Sequence, residues 1–455
     1  MGERIILQTN GAVDHALREA GSLESWQEQI GRYAVGNSRL VLAISTAFAA
    51  PLLYPTGSES GGFHFRGGSS TGKTTALHVA GSAWGGGGIR GYVRTWRATS
   101  NGLEGVAAMH CDCLLCLDEM GQVDGREAGA IAYMLANGVG KTRASRTGEA
   151  RPPAEWRLLF LSSGELSLAD KIAEDGRGRR VAAGQQVRIV DIAADAGAGL
   201  GMFENLHGFE SADAFARHLK MAASEHYGHP TRRFLQSLVD NFDGLAPIVK
   251  GHIDEFIGEH CPKGADGQVS RVAARFGLVA AAGEMARVAG VLPWPEGEAT
   301  NAAARCFRDW LTARGGVEPA EESDAIAAVR RFVEMHGTSR FEAMGDLMPR
   351  NGLGDTIDQR ITNRVGFRRR SEGGGIEYLV LPEAWRTEVC AGLDATMVGK
   401  ILARRGHLSI GSDGKPQVKV RLPGFDNPVR CYVITAGILG DEERRPATAA
   451  SAAQF

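Results

Sequence analysis

The 455-residue sequence predicts an α/β core with a parallel sheet, followed by a helical unit and a small α+β domain. Between residues 60 and 200, apolar runs alternate with helical stretches, as expected for buried parallel strands covered by helices on both faces. From about 211 to 315 only helical periodicity remains. After residue 322 helices mix with strands again, and two strand-like runs at 418–422 and 429–434 predict the ribbon of a winged-helix-like domain.

The composition shows no strong charge bias. The formal net charge is -2 at pH 7, so contacts with nucleic acid must come from local basic clusters. The seven cysteines lack pairwise spacing, which argues against a disulfide framework and favours a reducing cytoplasm. The most apolar run, 40–54, is short for a membrane span and contains Pro51. We therefore expect a buried helix capped near Asn37, and no membrane partner.

The strongest local signal is a glycine-rich stretch between a short strand at 63–66 and a helix-like run at 75–80. Residues 67–74 match G-x-x-x-x-G-K-T, a P-loop whose amides point at a phosphate chain. We expect Lys73 to reach the β- and γ-phosphates of ATP and the Thr74 hydroxyl to ligate Mg²⁺. The predicted nucleotide contacts are Gly67, Gly68, Ser69, Ser70, Thr71, Gly72, Lys73, Thr74 and Thr75.

Two acidic residues end the next strongly apolar run. Asp118 and Glu119 follow residues 113–117, about 45 residues after Lys73, a normal separation for a P-loop ATPase. Asp118 is expected to hold Mg²⁺, directly or through water, and Glu119 to orient and polarise the attacking water. An Asp-Glu pair favours hydrolysis over nucleotide sensing. The alternative is an acidic turn after a core strand.

The following apolar strand, 156–163, ends in Ser162 and Ser163. A polar residue at this point in ring ATPases senses the γ-phosphate. On the sequence alone Ser163 and Ser162 are equal candidates, and an ordinary strand-end serine is the alternative. The C-x-x-C formed by Cys113 and Cys116 has no second Cys/His pair nearby at zinc spacing, so buried hydrophobic roles are expected for these thiols.

A glycine-rich, basic segment lies at 137–148, between the helix after Glu119 and the strand that ends at Ser163. A hairpin there would project into the centre of a ring. Its cations Lys141, Arg143 and Arg146 suit contacts with the phosphates of a nucleic acid. Contact with a neighbouring subunit's nucleotide and a solvated loop are the two alternatives.

Several further arginines are candidates for nucleotide contacts. A cluster after the Ser163 strand would supply an arginine finger to an adjacent subunit, with Arg188 as a rival. This cluster consists of Arg177, Arg179 and Arg180. In the helical unit, Arg271 and Arg275 lie one turn apart and would act as lid arginines that touch the nucleotide in cis. For each group a solvated basic surface is the alternative.

The C-terminal part contains two basic clusters that suit phosphate contacts or a solvated face. The first consists of Arg360, Arg364, Arg368, Arg369 and Arg370. The second, on or beside the expected ribbon, consists of Lys415, Lys419 and Arg421.

The chain resembles a family of uncharacterised P-loop domains that form the C-terminal, helicase-like half of plasmid and phage primase–helicases. The resembling segments are 36–39, 67–75, 99–104, 117–122, 136–146, 161–165, 183–192 and 271–284. The resemblance implies an AAA+- or RecA-like parallel sheet, with superfamily-3 helicases as the alternative relatives. It also implies a homo-oligomeric ring of six that moves on single-stranded DNA, with a primase domain or protein as a possible partner.

Together these patterns predict an ATP-dependent DNA helicase or translocase of a phage or mobile-element replication module, with this chain as the C-terminal part of a longer polypeptide. The alternative is a P-loop ATPase that remodels a protein partner, such as a loader or defence ATPase. The predicted segments are a helical lead-in at 1–59, a P-loop ATPase core at 60–210, a lid-like unit at 211–320, a winged-helix-like domain at 321–436 and a flexible tail at 437–455.

Overall fold

A computed structural model describes residues 16–87, 91–144, 150–174, 187–314, 316, 320–350 and 361–440. The chain divides into two compact units, residues 1–317 and 318–455.

The first unit is built on a parallel five-stranded sheet. Its strands are β1 Gly61–Arg66, β2 Arg94–Thr95, β3 Cys113–Asp118, β6 Leu158–Gly164 and β7 Ile189–Ala193. Their order is β2-β3-β6-β1-β7, and every pair is parallel. Two short strands, β4 Arg143–Ala144 and β5 Ala150–Arg151, form a separate antiparallel hairpin. The predicted α/β core with a parallel sheet is confirmed.

Helices cover both faces of this sheet. Those described in the first unit are α1 Leu23–Trp26, α2 Arg32–Ala34, α3 Ser38–Ala49, α4 Leu53–Thr56, α5 Lys73–Ser82, α6 Ser100–Met109, α7 Gly125–Asn137, α8 Leu168–Ala173, α9 Ala212–Glu225, α10 His229–Asp240, α11 Phe242–His260, α12 Gly267–Val288 and α13 Glu298–Arg314. Residues 27–31 form a π-helical turn between α1 and α2.

The apolar strand residues alternate between two hydrophobic clusters. Leu159 and Leu161 pack into the cluster that contains α3, α5, α12 and α13, whereas Leu158 and Phe160 face the cluster under α6, α7 and α8. This alternation follows from the pleat of the strand, in which successive side chains point to opposite faces. It also explains why the strands read as near-continuous apolar runs, because both faces of the sheet are buried.

The apolar stretch Ser38–Thr56 has the length and composition of a membrane span, but 83% of its window is buried inside the protein. Helix α3 packs against α5, α12 and α13, so it serves as a core helix, as expected. Asn37 stands at its N-cap position without a capping bond from its side chain. Instead Glu204 Oε2 accepts a hydrogen bond of 2.5 Å from the Ser38 amide, so a residue distant in sequence supplies the cap.

The second unit contains a five-stranded sheet of order β11-β12-β10-β9-β8. Its strands are β8 Phe341–Ala343, β9 Gly366–Arg370, β10 Ile376–Val380, β11 Val418–Val420 and β12 Val429–Ile434. The helices described are α14 Ala320–His336, α15 Pro382–Ala384 and α16 Ala395–Arg404. The expected antiparallel pair β11 and β12 forms, but β12 also pairs with β10. The two strands are therefore the edge of a larger sheet, and the winged-helix-like assignment stays a prediction.

Ion pairs hold several of the predicted C-terminal arginines. Arg369 pairs with Glu377 at 2.9 Å and Arg370 with Asp346 at 2.7 Å, and Arg364 contacts Glu342. Lys415, Lys419 and Arg421 of the second cluster are exposed, as are Arg364 and Arg370 of the first. Arg360 lies outside the described residues. Phosphate contacts at either cluster stay a prediction.

Asp191, on the edge strand β7, makes stability depend on pH. It lies beside His64 in the register of β1, and its buried Oδ1 has no hydrogen-bond partner. Burial raises the pKa of its carboxyl group to about 7, opposed by a hydrogen bond from the backbone of Leu168. Because the native pKa lies above the unfolded value near 4, the carboxyl group contributes its full stabilisation only below pH 4. This contribution is lost as the pH rises through 7.

We therefore expect Asp191→Asn to become more stable relative to the unsubstituted protein as the pH rises from 4 to 8, by about 4 kcal/mol in the free energy of unfolding. Denaturant unfolding across this pH range measures the difference. Asp254→Asn, on the exposed surface of α11, is the matched control and should show no such trend. A difference for Asp191→Asn that does not change with pH would contradict the assigned ionisation.

Candidate functional site

The P-loop joins the carboxyl end of β1 to the start of α5. Gly72, the last residue before the helix, has φ 93°, and a Cβ there would lie 3.2 Å from both Met202 and Phe203. Only glycine meets both the backbone and the packing requirement at this position. The helix then begins at Lys73, which aims the first amides of α5 towards the loop.

The Lys73 ammonium is folded back onto its own loop. Its Nζ donates to the carbonyl oxygens of Gly67 at 2.7 Å and Gly68 at 2.5 Å, and to Thr71 Oγ1 at 3.2 Å. Burial lowers the pKa of Lys73, and the charges of Glu165 and Asp118 act in the opposite direction. The cation therefore lies inside the loop, where the phosphate-binding interpretation expects it.

Four of the predicted residues come together at the carboxyl end of the sheet. Thr74 Oγ1 donates to Asp118 Oδ1 at 3.2 Å, and the Ser163 hydroxyl donates to the same oxygen. The Glu119 amide donates to Ser163 Oγ at 3.3 Å. The strand order explains this convergence, because β6 lies between β1 and β3 and so brings Ser163 between the P-loop and the two acids.

Glu119 has an unusual backbone for a residue with a side chain. Its φ is 63°, in the left-handed region, and the short helical turn Met120–Gln122 follows it. Such a conformation costs on the order of 1 kcal/mol for a non-glycine residue. The Glu119 carboxylate is exposed and accepts a hydrogen bond from Gln122 Nε2. The turn thus presents this carboxylate to solvent at the edge of the site, and Gln122 was missed by the sequence analysis.

The oxygen atoms at this point suit a magnesium ion. Mg²⁺ is usually bound by one or two protein oxygens together with substrate phosphates and water. The Thr74 hydroxyl and the Asp118 carboxylate, 3.2 Å apart, provide such a pair beside the P-loop. Among the described residues no group of three or more His, Cys, Asp or Glu could hold a metal ion by itself. The residues present therefore fit a cation that arrives with a phosphate ligand.

The two adjacent serines of β6 point to opposite faces. Ser163 faces Asp118, whereas Ser162 is fully buried and accepts a hydrogen bond of 2.8 Å from Trp96 Nε1. His64 lies 2.8 Å from Ser162 through Nδ1 and 2.9 Å from the Leu166 carbonyl oxygen through Nε2. Ser163 is therefore the serine at the site, and Ser162 belongs to the core.

The donors and acceptors fix the direction of this buried chain. A carbonyl oxygen only accepts, so His64 Nε2 must carry a proton and donate to Leu166. Burial lowers the pKa of His64 to about 4, so the ring is neutral and Nδ1 accepts from the Ser162 hydroxyl. We call this series, from Trp96 through Ser162 and His64 to Leu166, the histidine chain. Nothing in the sequence pattern marked His64 or Trp96.

Arg275 and Arg188 lie away from the P-loop of their own chain. Arg275 Nη1 donates to the Val187 carbonyl at 2.6 Å, and a Cβ on Gly61 would lie 2.4 Å from its guanidinium. These partners precede β7 and start β1, so Arg275 lies at the amino ends of the strands. Burial lowers its pKa to about 10. The prediction that Arg275 contacts the nucleotide of its own chain is therefore wrong. Backbone encloses Arg275 at the amino ends of the strands, whereas the P-loop lies at the carboxyl end of β1.

Arg188 also lies before β7, with its guanidinium 4.7 Å from the centre of the Tyr133 ring. This position excludes contact with the P-loop of the same chain but leaves a contact in trans as a prediction. The rival cluster Arg177, Arg179 and Arg180 lies outside the described residues. Arg271, one turn before Arg275, is exposed.

The basic segment contains the expected hairpin. Helix α7 ends at Asn137 with Gly138, whose φ is 74°, as its C-cap, and strands β4 and β5 then pair with Arg143 opposite Arg151. Lys141, just before β4, is exposed. Arg146 lies outside the described residues. The described part of this segment is therefore an antiparallel strand pair, and its contact with nucleic acid stays a prediction.

The cysteines of the C-x-x-C behave as core residues. Cys116 is fully buried and its thiol lies 3.6 Å from the Leu77 carbonyl oxygen. Burial raises the pKa of Cys113 to about 12 and raises that of Cys116 further. These thiols are protonated at neutral pH, as expected for small hydrophobic residues.

Comparison with known proteins supports the fold. A family model described as "Domain of unknown function (DUF927)" matches residues 1–155. A solved structure described as "SCCmec type IV Cch - active helicase" is similar to 94% of this chain and 73% of that chain, with a TM-score of 0.67 and 19% sequence identity. No curated protein matches. The similarity shows a shared fold, and the AAA+ or superfamily-3 assignment stays a prediction.

The two serines should give different phenotypes. Ser162→Ala leaves Trp96 Nε1 and His64 without their buried partner, so we expect a loss of about 1–3 kcal/mol in the free energy of unfolding. Ser163→Ala, the matched control one residue along, removes the bonds to the half-buried Asp118 and the exposed Glu119, whose polar groups water can reach, and should cost less. Denaturant unfolding of both variants measures this order, and a larger loss for Ser163→Ala would contradict the histidine chain.

Proposed function

We propose that the protein is an Mg²⁺-dependent ATPase that acts as a helicase or translocase on single-stranded DNA, in a phage or mobile-element replication module of the cytoplasm. The observation that carries the proposal is the convergence of Lys73, Thr74, Asp118, Glu119 and Ser163 at one end of the parallel sheet. Each is of the residue type that phosphoryl transfer to water requires at that position.

The geometry supports a distinct role for each of these residues. Lys73 exchanges its carbonyl partners for the β- and γ-phosphates and neutralises their charge. Thr74 and Asp118 would hold Mg²⁺, which supplies further charge neutralisation when bound. Glu119, exposed at the edge of the site, orients the attacking water and accepts its proton. Ser163 donates a hydrogen bond to Asp118 here and would donate to the γ-phosphate once nucleotide is bound.

The DNA part of the proposal draws on other observations. The structure with a similar fold is described as an active helicase. The basic hairpin supplies exposed positive charge at Lys141, next to β4. Because β7 is an edge strand, Arg188, which precedes it, lies at a side of the sheet that a second copy of the chain can approach. We therefore propose a homo-oligomeric ring of six, with a trans arginine from 177–188 and a primase as a possible partner.

Two substitutions separate nucleotide binding from turnover. Lys73→Ala removes the cation that meets the phosphates, so we expect ATP binding to be lost. Glu119→Gln keeps the shape of the side chain but removes the carboxylate that acts as the base. ATP binding should therefore persist, while the rate of hydrolysis falls by about 100-fold or more. Isothermal titration and phosphate release measure the two effects. Glu127→Gln, an exposed carboxylate in the first turn of α7, is the control. Equal loss of binding in both variants would contradict the role of Glu119.

A third substitution tests the hairpin. Lys141→Ala should weaken binding of labelled single-stranded DNA. The slope of the logarithm of the binding constant against the logarithm of the salt concentration should fall by the equivalent of about one phosphate contact. ATP hydrolysis without DNA should continue. Fluorescence anisotropy at several salt concentrations, with a non-hydrolysable ATP analogue, measures it. Lys250→Ala, on the exposed face of α11, is the control. If DNA neither binds the unsubstituted protein nor stimulates its hydrolysis, remodelling of a protein partner replaces the helicase function.

A further inference from the structure

The segment between β7 and α9 lies against both ends of the P-loop. Before the loop begins, the Ala194 amide donates to the Arg66 carbonyl at 2.7 Å. Near the end of the loop, the Met202 amide donates to the Thr71 carbonyl at 3.0 Å. Residues 194–204, which we call the supporting segment, therefore contact the P-loop backbone on either side of the residues expected to bind phosphate.

The supporting segment has little regular structure of its own. It contains no helix and no strand, and its internal contacts include an isolated bridge between Leu200 and Phe203. The Ala196 amide also donates to the Gly201 carbonyl at 2.9 Å. Met202 and Phe203 are buried in the hydrophobic core, which holds the middle of the contact with the loop. The ends of the supporting segment must be held by polar contacts with other elements.

Residues 36–39, one of the segments that carry the family resemblance, hold its carboxyl end. Asn37 is fully buried, and its Oδ1 accepts from the amides of Glu204 at 2.8 Å and Asn205 at 3.0 Å. Glu204 Oε2 in turn accepts from the Ser38 amide and, at 2.7 Å, from the Ser38 hydroxyl. Water does not replace hydrogen bonds lost at buried groups, so this end is closely fixed to the start of α3.

Two arginines hold the amino end. Arg39, which is also buried, donates to the Asp195 carbonyl at 3.4 Å. Arg305 on α13 donates to the Ala196 carbonyl at 2.8 Å and forms an ion pair with Glu204. Glu204 therefore joins α3 and α13 at the supporting segment, and the arginines fix the backbone at the opposite end.

We propose that Asn37, Arg39, Glu204 and Arg305 are positioning residues for the P-loop, an inference that rests on the proposed function. None of their described hydrogen bonds reaches residues 67–75, so they act through the supporting segment. Loop amides bind phosphates best when they are in place beforehand, because ordering them during binding costs affinity. These four side chains keep the loop in the conformation that receives the phosphates.

Arg305→Ala tests the proposal, because this arginine is exposed and its loss should leave the core intact. We expect ATP and inorganic tripolyphosphate to bind about threefold to tenfold more weakly, since both probes depend on the loop. The KM for ATP should rise similarly, while kcat changes less than about twofold, because β3 and β6 carry the residues proposed to hydrolyse ATP. Isothermal titration and steady-state hydrolysis measure these effects.

Arg308→Ala is the matched control, since it removes an exposed arginine three residues along the same helix. It should bind both probes as the unsubstituted protein does. Hydrogen exchange without ligand provides a readout that does not depend on activity. The amides of residues 67–75 should exchange faster in Arg305→Ala than in Arg308→Ala, because the loop has lost part of its support.

Two further variants separate positioning from general stability. Arg305→Lys keeps the positive charge beside Glu204 and should bind ATP more tightly than Arg305→Ala. Glu204→Gln keeps an oxygen for the Ser38 contacts but removes the ion pair, so it should also weaken tripolyphosphate binding.

A lower denaturant midpoint with unchanged affinity and unchanged exchange at 67–75 would overturn the proposal, as would a fall in kcat without a rise in KM. If the unsubstituted protein binds neither ATP nor tripolyphosphate, the proposed function fails. Hydrogen exchange then decides by itself whether the supporting segment positions the loop, so the two failures are distinguishable.

Discussion

The histidine chain is the interaction on which the geometry of the site depends. It links β6 to β1 through side chains that are almost fully buried. Water cannot replace a hydrogen bond lost there, so each donor needs its protein partner. The Trp96 amide also donates to the Asp118 carbonyl at 3.0 Å, which connects the chain to the end of β3. These hydrogen bonds therefore add to the backbone ladders in connecting β1, β6 and the end of β3 close to the P-loop, Ser163 and Asp118.

Two buried arginines hold the edge strand β7 in place through hydrogen bonds to backbone carbonyls. Arg275 donates to carbonyl oxygens just before β7, and Arg39 donates to the Ala193 carbonyl at the end of the same strand at 3.2 Å. Arg39 also forms an ion pair of 2.7 Å with Asp309 on α13. A guanidinium can satisfy several carbonyls at once because its donors form a rigid fork. The edge strand is thus fastened at both ends to the helices that cover it, which compensates for its having one neighbour.

Much of this arrangement could be predicted from the sequence because it depends on local patterns. The strand, loop and helix around Lys73 follow from glycine spacing and apolar alternation, and the caps at Thr99 and Ser211 follow from side chains that accept from nearby amides. The parts that could not be predicted depend on partners distant in sequence. The face of Ser162, the enclosure of Arg275 and the cap supplied by Glu204 each require the three-dimensional neighbour, which no spacing rule provides.

The position of the Lys73 ammonium has a consequence for what the loop selects. Its contacts with the carbonyls of Gly67 and Gly68 must be given up before it can meet an incoming anion. A singly charged or weakly bound ion does not offset that loss, whereas a chain of linked phosphates offers several charges and many acceptors at once. The Lys73 ammonium therefore has backbone partners that an incoming anion must replace, which favours ligands that carry several negative charges.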